Sequence, residues 1–253
     1  APNTVKRAKY SAKMERSIGV GALGWHAYLQ KHEMPWESAI AVSANHNIFK
    51  HIKKRLDEAN LELGKERGEA PDAKGTGRRF SHVQAIAPNA SSSILMNNTS
   101  PSIEPYRANA YRQDTLSGSF LNKNRMLDAL LKTKVKSEEE LQEVWSSIIA
   151  NDGSVAHLEI LNENEKAIYK TAMEIDQRWL VQHAADRQQY IDQAQSLNVF
   201  FRPDSDIKYI HAVHFQAWKQ GLKTMYYCRS EKIGKADKVF KKIEREIIKE
   251  IDL

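Results

Sequence analysis

Hydrophobic residues recur with helical spacing along the longest regular stretch of this chain, residues 36–67. Positions three or four residues apart lie on one face of an α-helix, so such a stretch has an apolar and a polar side. Gly68 follows at the place where glycine commonly ends a helix. The pattern predicts a long amphipathic helix whose apolar face carries Ile40, Ile48, Ile52, Leu56, Ala59 and Leu63.

Two further helices are predicted from polar residues that precede apolar faces. Ser137 with Glu140 matches the capping-box spacing, and we expect that helix to run to about residue 149. Asn162 and Glu165 begin another helix in the same way. Its apolar face is predicted to carry Ile168, Ala172, Ile175 and Trp179. The core is predicted to include Trp145, Trp179 and Trp218.

Short single strands separate the predicted helices. Residues 82–87 and 222–228 are the strand candidates, and two more helices are predicted at 181–196 and 205–220, the latter followed by Gly221. Residues 69–80 are rich in glycine, proline and lysine and are expected to form a loop. Long helices between single strands are typical of an α/β fold with the helices outside. The strands are too few to close a barrel.

Three glycines near the start of the chain match a dinucleotide-binding loop in form only. Gly19, Gly21 and Gly24 have the Gly-x-Gly-x-x-Gly spacing. That motif needs a strand before it, whereas residues 11–16 are polar and helix-prone. We therefore interpret these glycines as sites of close helix packing.

Composition narrows the class of protein. Of the 253 residues 41% are hydrophobic, which is enough for a sizeable core. No long apolar run or signal peptide is found, so we expect no membrane span. The single cysteine excludes an internal disulfide and fits a reducing cytosol. A net charge of +6 permits a polyanionic partner, but basic and acidic residues are interleaved, which favours an ordinary soluble protein. The start at Ala1, without methionine, suggests processing or truncation.

Two local runs carry candidate chemistry. Residues 88–93, Pro-Asn-Ala-Ser-Ser-Ser, lie between a predicted strand and a short helix. The free N–H groups of a helix N-terminus bind phosphate well, although an ordinary serine-rich cap has the same pattern. Tyr226 and Tyr227 are adjacent on a predicted strand, and neighbours on a regular strand point to opposite faces. One buried and one exposed tyrosine is the simplest interpretation.

Taken together, the runs resemble a known family. The order is Ile-Ala-Pro-Asn-Ala-Ser-Ser-Ser at 86–93, Ser-Pro-Ser-Ile-Glu-Pro at 100–105, Tyr-Ile-Asp-Gln-Ala-Gln-Ser-Leu-Asn at 190–198, and then the tyrosine pair. In this order and at this separation they resemble the C-terminal part of the large, catalytic subunit of class I ribonucleotide reductase. The whole chain, residues 1–253, is predicted to be one C-terminal portion of the family's catalytic barrel domain. The resemblance covers residues 15–230, and residues 231–253 are predicted to form a charged terminal helix.

The resemblance implies a ten-stranded α/β barrel, of which this chain supplies only the helix-rich C-terminal part. The match spans about the last third of the family's subunit, so the chain looks like a fragment or one half of a split subunit. The style of the motifs looks closest to tailed-phage enzymes. The family's reactive cysteines would lie upstream of the match and in a C-terminal tail that is missing here. Cys228 matches neither set and is expected to be a small packed residue.

The resemblance also implies site residues. The loop would face the substrate diphosphate through Pro88, Asn89, Ala90, Ser91 and Ser92, and Ala90 could contribute only its backbone N–H. Ser100 and Glu104, in the next run, would be structural. The rings of Tyr226 and Tyr227 would stack and relay an oxidising equivalent, with Tyr226 nearer the catalytic cysteine and Tyr227 nearer the small subunit. Stacking of adjacent residues requires a backbone that departs from regular strand geometry.

The function that the resemblance implies is part of a ribonucleoside-diphosphate reductase, inactive alone. No cofactor is expected on this chain; a di-metal centre with a tyrosyl radical would belong to the small subunit, and ATP or dNTP effectors to the missing N-terminal part. Expected partners are that N-terminal part, the small subunit, thioredoxin or glutaredoxin, and a ribonucleoside diphosphate. The expected location is the cytoplasm, which is the host's if a phage encodes the chain.

Two alternatives remain at this stage. One is a basic helical module that binds nucleic acid without catalysis, with an affinity that falls steeply with salt. The other is a free-standing domain that retains only the fold. A zinc site is not expected, because His211 and His214 lack the spacing and the further ligand of a zinc hydrolase. Neither a membrane nor direct nucleic-acid contact is expected for the enzyme.

Overall fold

A computed structural model describes residues 4–115 and 118–230 of the chain. The predicted terminal helix within 231–253 lies outside the described residues. The described helices and strands follow in this order: α1 (Lys6–Glu15), α2 (Trp25–Lys31), α3 (Ala39–Arg67), a 3-10 turn (Pro71–Ala73), α4 (Ala90–Leu95), β1 (Ala110–Thr115), β2 (Gly118–Lys123), α5 (Arg125–Lys134), α6 (Glu138–Ala150), α7 (Glu163–Ile168), α8 (Gln177–Gln188), β3 (Val199–Phe201), α9 (Ile207–Lys219) and β4 (Cys228–Ser230).

Four extended segments run parallel to one another in chain order. Val20 pairs with Gln84, Ile86 pairs with Gln195, and β3 pairs with β4, each in the parallel sense. Helices connect each segment to the next, which is the arrangement of successive strands in an α/β barrel. The described chain is therefore helix-rich with a few parallel strands, as a part of such a barrel would be. Among the described residues, no helix combines the length and apolarity needed to cross a membrane.

The long helix α3 confirms the predicted helix of residues 36–67. Ser38 begins it by accepting a hydrogen bond from the N–H of Ala41, and Gly68 ends it with a φ of 78°. A side-chain oxygen at the N-cap and a glycine after the last turn satisfy backbone groups that the helix leaves unpaired. The helix packs against α8 over a core that includes Trp36, Phe49, Leu180 and Ala184.

Gly64 allows the chain to approach α3 closely. A Cβ at this position would lie 1.9 Å from the carbonyl oxygen of Gly77. Gly-to-Ala changes inside helices usually stabilise by about 1 kcal/mol. Here we expect Gly64→Ala to lower the free energy of unfolding by about 1–3 kcal/mol, because backbone must move. Urea denaturation measures it, with Ser43→Ala on the exposed face of α3 as the control. A more stable Gly64→Ala protein would contradict the close approach.

One predicted helix is wrong in its length. The capping box of Asn162 and Glu165 begins α7 as expected, but the helix ends at Ile168. The Glu174 carboxylate then accepts hydrogen bonds from the N–H and the hydroxyl of Thr171, and Asp176 caps the N-terminus of α8. These side chains offer the backbone a turn in place of the helix. The helix predicted at 181–196 is accordingly α8, which spans Gln177–Gln188.

The β-hairpin of β1 and β2 was not predicted. The two strands pair antiparallel from Ala110 with Lys123 to Thr115 with Gly118. A second core lies beside it and includes Leu127 and Leu131 of α5 with Trp145 of α6. No element was predicted for residues 106–136, which lack a regular hydrophobic pattern.

The early glycines pack against an extended segment and not against a helix, so that interpretation was wrong. A Cβ on Gly21 would lie 2.8 Å from the carbonyl oxygen of Ala85, and one on Gly19 would lie 3.3 Å from the Ala85 Cβ. The Val20–Gln84 bridge explains the spacing, since two backbones run side by side there. Glycine is suited to such close approach of backbones.

Candidate functional site

The two adjacent tyrosines meet at the surface. Their ring centroids are 4.0 Å apart and the ring planes are tilted by 47°. Tyr226 is 48% exposed and Tyr227 is 50% exposed, so neither is a core residue. The pKa of Tyr226 is raised because its phenol hydrogen-bonds to that of Tyr227, and the charge interaction between them acts in the same direction. The rings are in contact but are not a parallel stack.

A local change in strand pairing explains how neighbours reach the same side. In a regular parallel ladder, one residue supplies both the N–H and the C=O that face a given partner. Here the N–H of Tyr226 donates to the carbonyl of Leu197 at 2.8 Å. The carbonyl of Tyr227 accepts from the N–H of Val199 at 2.9 Å. Two residues thus face Asn198 where a regular ladder has one, which is the pattern of a β-bulge.

The bulge frees the N–H of Tyr227, and the side chain of Asn198 binds it. The distance from that nitrogen to the Asn198 Oδ1 is 3.0 Å. The Asn198 Nδ2 donates in turn to the Glu104 Oε1 at 2.6 Å. Both side chains are buried, with relative exposures of 2% and 4%. A buried N–H needs a partner, and the asparagine supplies one.

The carboxyl of Glu104 lies near the tyrosine pair and is influenced by two arginines, Arg107 and Arg229. Burial raises the pKa of its carboxyl, while the Asn198 amide and the Arg107 and Arg229 guanidinium groups oppose the rise. Burial lowers the pKa of Arg107, and the positive charge of Arg229 lowers it further. The Arg229 guanidinium lies over the Tyr227 ring, 5.0 Å from its centroid. A cation in this position is attracted to the electron-rich face of the ring.

The serine-rich loop leads into α4. Asn89 has a φ of 50° and its side chain makes no capping hydrogen bond. The buried Ser93 donates its hydroxyl to the Ala90 carbonyl at 2.7 Å, which closes the first turn. Pro88, Ala90, Ser91 and Ser92 are exposed and Asn89 is half-buried. The loop therefore presents backbone N–H groups and two serine hydroxyls to a ligand from outside.

The loop and the tyrosine pair belong to the same group of parallel segments. The loop follows Ile86, which pairs with Gln195. The tyrosines face Asn198, three residues further along that same middle segment. Because both pairings are parallel, the segment before the loop and the segment with the tyrosines run in the same direction. The run after α4 adds a physical link, because Glu104 is the residue that binds Asn198.

Three predictions made from the sequence near this site are wrong. Cys228 was predicted to be packed, but it is exposed at the start of β4. Trp218 was predicted to be core, but it is 73% exposed on the outer face of α9. The strand predicted at 222–228 is only Cys228–Ser230, because the bulge interrupts regular pairing upstream. Glu104 was expected only to be structural, and no role at this site was predicted for Asn198, Arg107 or Arg229, because no local pattern links these residues to the tyrosines.

The described residues contain no group of three or more histidine, cysteine, aspartate or glutamate side chains that could hold a metal ion. His211 and His214, the two histidines considered above for a zinc site, belong to no such group. Both lie on α9, where His214 contacts the carbonyl of Ile210 and stacks on Phe201. His214 is exposed, and its contacts are with its own helix and with the Phe201 ring.

Comparison with known proteins gives a consistent set of relatives. The profile of the family "Ribonucleotide reductase, barrel domain" matches residues 2–76 and 71–228. The ribonucleoside-diphosphate reductase large subunit of Invertebrate iridescent virus 6 is 55% identical over 241 residues, which cover 94% of this chain and 25% of that protein. Its counterpart in Invertebrate iridescent virus 3 is 56% identical, over 94% of this chain and 38% of that protein.

A solved structure agrees with these sequence matches. The class Id ribonucleotide reductase alpha subunit of Actinobacillus ureae superposes with a TM-score of 0.84 at 38% identity, over 93% of this chain and 43% of that one. The chain thus spans between a quarter and just over two fifths of the length of these relatives. Viruses are among their sources, whereas the affinity to tailed phages in particular stays a prediction.

Proposed function

This chain belongs to the ribonucleotide reductase barrel-domain family, and we propose that it is the C-terminal part of a ribonucleoside-diphosphate reductase large subunit. The observation that carries the proposal is the contact of Tyr226 with Tyr227, at 4.0 Å between centroids on an exposed surface. Two phenols in contact at a surface can pass an oxidising equivalent inward from a partner. The family match supports this enzyme and not the alternative of a nucleic-acid-binding module.

The relay exchanges one electron and one proton at each step. A Tyr227 phenoxyl radical takes both from the Tyr226 phenol, which restores the Tyr227 phenol and leaves the radical on Tyr226. Tyr226 then takes an electron and a proton from a cysteine thiol in the remaining part of the subunit, which becomes a thiyl radical. The phenol–phenol hydrogen bond of Tyr226 and Tyr227 provides the path for the proton.

The loop at α4 would hold the substrate. The diphosphate would lie against Pro88, Asn89, Ala90, Ser91 and Ser92, where N–H groups and hydroxyls are exposed. Small side chains let an anion approach the backbone closely, and the helix dipole favours negative charge there. The reaction would replace the ribose 2′-OH of a ribonucleoside diphosphate by hydrogen. The chemistry at the sugar would fall to cysteines outside this chain.

The remaining components follow from the same proposal. The N-terminal part of the large subunit would bring the reactive cysteines and the sites for ATP or dNTP effectors. The small subunit would supply the oxidising equivalent from its di-metal centre and tyrosyl radical. Thioredoxin or glutaredoxin would return the reducing equivalents. The complex would work in the cytoplasm.

Reconstitution tests the proposal. This chain is mixed with the N-terminal part of the large subunit, the small subunit and a chemical dithiol, and reduction of a ribonucleoside diphosphate is measured. We expect turnover that requires every component. A folded chain that neither binds the N-terminal part nor supports turnover would overturn the proposal in favour of a free-standing domain or a binding module.

Ser92→Asp tests the diphosphate loop in the same assay. A carboxylate in the first turn favours the helix, so folding should persist. It also brings negative charge to the place of the diphosphate, and we expect KM to rise about tenfold or more, which is about 1.4 kcal/mol. Ser146→Asp, on the exposed face of α6, is the matched control and should leave KM unchanged. Equal KM values for the two variants would place the diphosphate elsewhere.

A further inference from the structure

We propose that Asn198 is a positioning residue for the tyrosine relay and that Glu104 sets the orientation of its amide. Asn198 does not touch substrate or carry the radical in this proposal. It holds Tyr226 and Tyr227 in the bulge that brings their rings together. The inference rests on the proposed function, because the relay is the process whose geometry it serves.

The first step of the argument is the hydrogen bond that the bulge requires. With Tyr226 and Tyr227 both facing Asn198, only one of their two N–H groups can donate to the Leu197 carbonyl. The other N–H, on Tyr227, donates to the Asn198 Oδ1 at 3.0 Å. A side chain without an acceptor at position 198 would leave this N–H unpaired. The ladder could then satisfy it by returning to regular pairing, which turns the two rings to opposite faces.

The second step is the orientation of the amide. An asparagine amide has an oxygen that accepts and a nitrogen that donates, and the two ends can exchange by a flip. The Glu104 Oε1 accepts from the Asn198 Nδ2 at 2.6 Å, so the glutamate binds the nitrogen end of the amide. The oxygen end of Asn198 is thereby directed to Tyr227. The glutamate thus selects the one orientation that supports the bulge.

The third step connects this pair to the substrate loop. Glu104 lies in the run that follows α4, and this run is anchored where the Ser100 carbonyl accepts from the N–H of Gly24. Ser100 also accepts a hydrogen bond from the N–H of Ala27 through its hydroxyl. A displacement of the run would be transmitted through Glu104 and Asn198 to the Tyr227 backbone. The network therefore ties the placement of the outer tyrosine to the segment that carries the diphosphate loop.

Variants that exchange the acid and the amide group between positions 104 and 198 test the inference. Asn198→Ala removes the acceptor, Glu104→Gln removes the carboxylate, and Asn198→Asp places two buried acids side by side. The double variant Glu104→Gln with Asn198→Asp restores the set, because the introduced glutamine amide donates to the introduced aspartate carboxylate, which also accepts from the N–H of Tyr227. Asn109→Ala is the control, since Asn109 is equally buried but binds the Gly153 and Tyr169 carbonyls.

The expected result has a structural and a kinetic part. Crystal structures of the isolated chain should show the rings of Asn198→Ala further apart than the wild-type 4.0 Å. In the reconstituted enzyme, kcat should fall about tenfold for Asn198→Ala and Asn198→Asp, with KM within about twofold. The exchanged double variant should recover to within about threefold of wild type, a non-additivity that general loss of stability would not produce.

Two outcomes would overturn the inference. One is an Asn198→Ala or, should that variant not fold, an Asn198→Leu chain, which also lacks an acceptor at this position, whose tyrosine rings keep their separation. The other is a double variant whose loss of kcat is as large as the combined losses of the two single variants predict. If the wild-type assay has no activity, the proposed function fails, while the crystal structures still decide whether Asn198 holds the rings. Asn109→Ala should lower stability but keep both ring contact and kcat.

Discussion

Tyr226→Phe is expected to abolish ribonucleotide reduction in the reconstituted enzyme. Phenylalanine keeps the ring and its packing but has no O–H, so it cannot give up an electron and a proton together. The relay would stop at Tyr227, with residue 226 between it and the thiol. We expect the rate to fall by at least about a thousandfold, which corresponds to about 4 kcal/mol in the barrier. The measurement is product formed per unit time at saturating substrate.

Binding separates this effect from a folding defect. Tyr226 is half exposed, so its loss of one hydroxyl should leave the affinity for the N-terminal part and for substrate unchanged. Tyr209→Phe is the matched control: its hydroxyl binds the Asp176 carboxylate at 2.8 Å in a structural contact on α9. That variant should lose stability and retain turnover. Undiminished turnover in Tyr226→Phe would leave the enzyme in place and remove the tyrosine from its relay.

The second large effect is expected in acid. His26 and His183 are fully buried, and burial lowers the pKa of each to about 3 from 6.5. His26 Nδ1 accepts the N–H of Tyr106 at 2.9 Å, so a proton on that nitrogen would face another donor. His183 stacks on Trp36, and the charge of Arg187 lowers its pKa further. Both rings are therefore neutral in the native chain at pH 5.

The direction of the pH dependence follows from these shifts. Between pH 6.5 and pH 3 the unfolded chain has protons on both rings and the native chain does not. Acid therefore favours unfolding, and stability falls as the pH falls through this range. Each ring contributes a slope of about 1.4 kcal/mol per pH unit, or about 2.7 kcal/mol for the two. Above pH 6.5 the contribution is constant.

Urea denaturation of the chain at pH values from 7.5 to 4.5 measures this slope, roughly spanning the upper part of the window. We expect His26→Asn with His183→Phe to flatten the pH dependence by about 2.7 kcal/mol per pH unit relative to wild type. The asparagine amide oxygen can still accept from Tyr106, and phenylalanine fits among the rings around His183. His211→Asn, on the exposed side of α9, is the control and should keep the wild-type slope. Identical slopes in all three proteins would mean that neither buried ring stays neutral.

Elements with local start and stop signals were predictable from the sequence. The helices α3, α6 and α9 were predicted close to their observed ends, because Gly68, Ser137 and Gly221 act within one turn of the residues that they cap. The end of α7 was missed, although its cause is local, because the turn at Thr171 depends on two hydrogen bonds to the Glu174 Oε2 that spacing does not reveal. Helical periodicity continues through the break and conceals it.

The candidate site divides in the same way. The runs at 88–93 and at Tyr226–Tyr227 could be identified from the sequence as candidates. The contact of the tyrosine rings could not be derived from it, because it depends on pairing with Leu197, Asn198 and Val199 about 30 residues earlier. The role of Glu104 was out of reach for the same reason, since it lies 94 positions from its partner. Side-chain partners across such separations are set by the fold, and no local pattern encodes them.

The bulge contains one residue more than a regular ladder would need at this place. A chain that lacked one of the two tyrosines would pair with Leu197 and Val199 as an uninterrupted ladder, and the amide of Asn198 would have no backbone N–H to bind. Deleting one residue here would thus make the ladder regular but leave the buried Asn198 amide oxygen without its partner. The second tyrosine is one residue more than a regular ladder needs, and the bulge that holds it depends on the buried amide of Asn198.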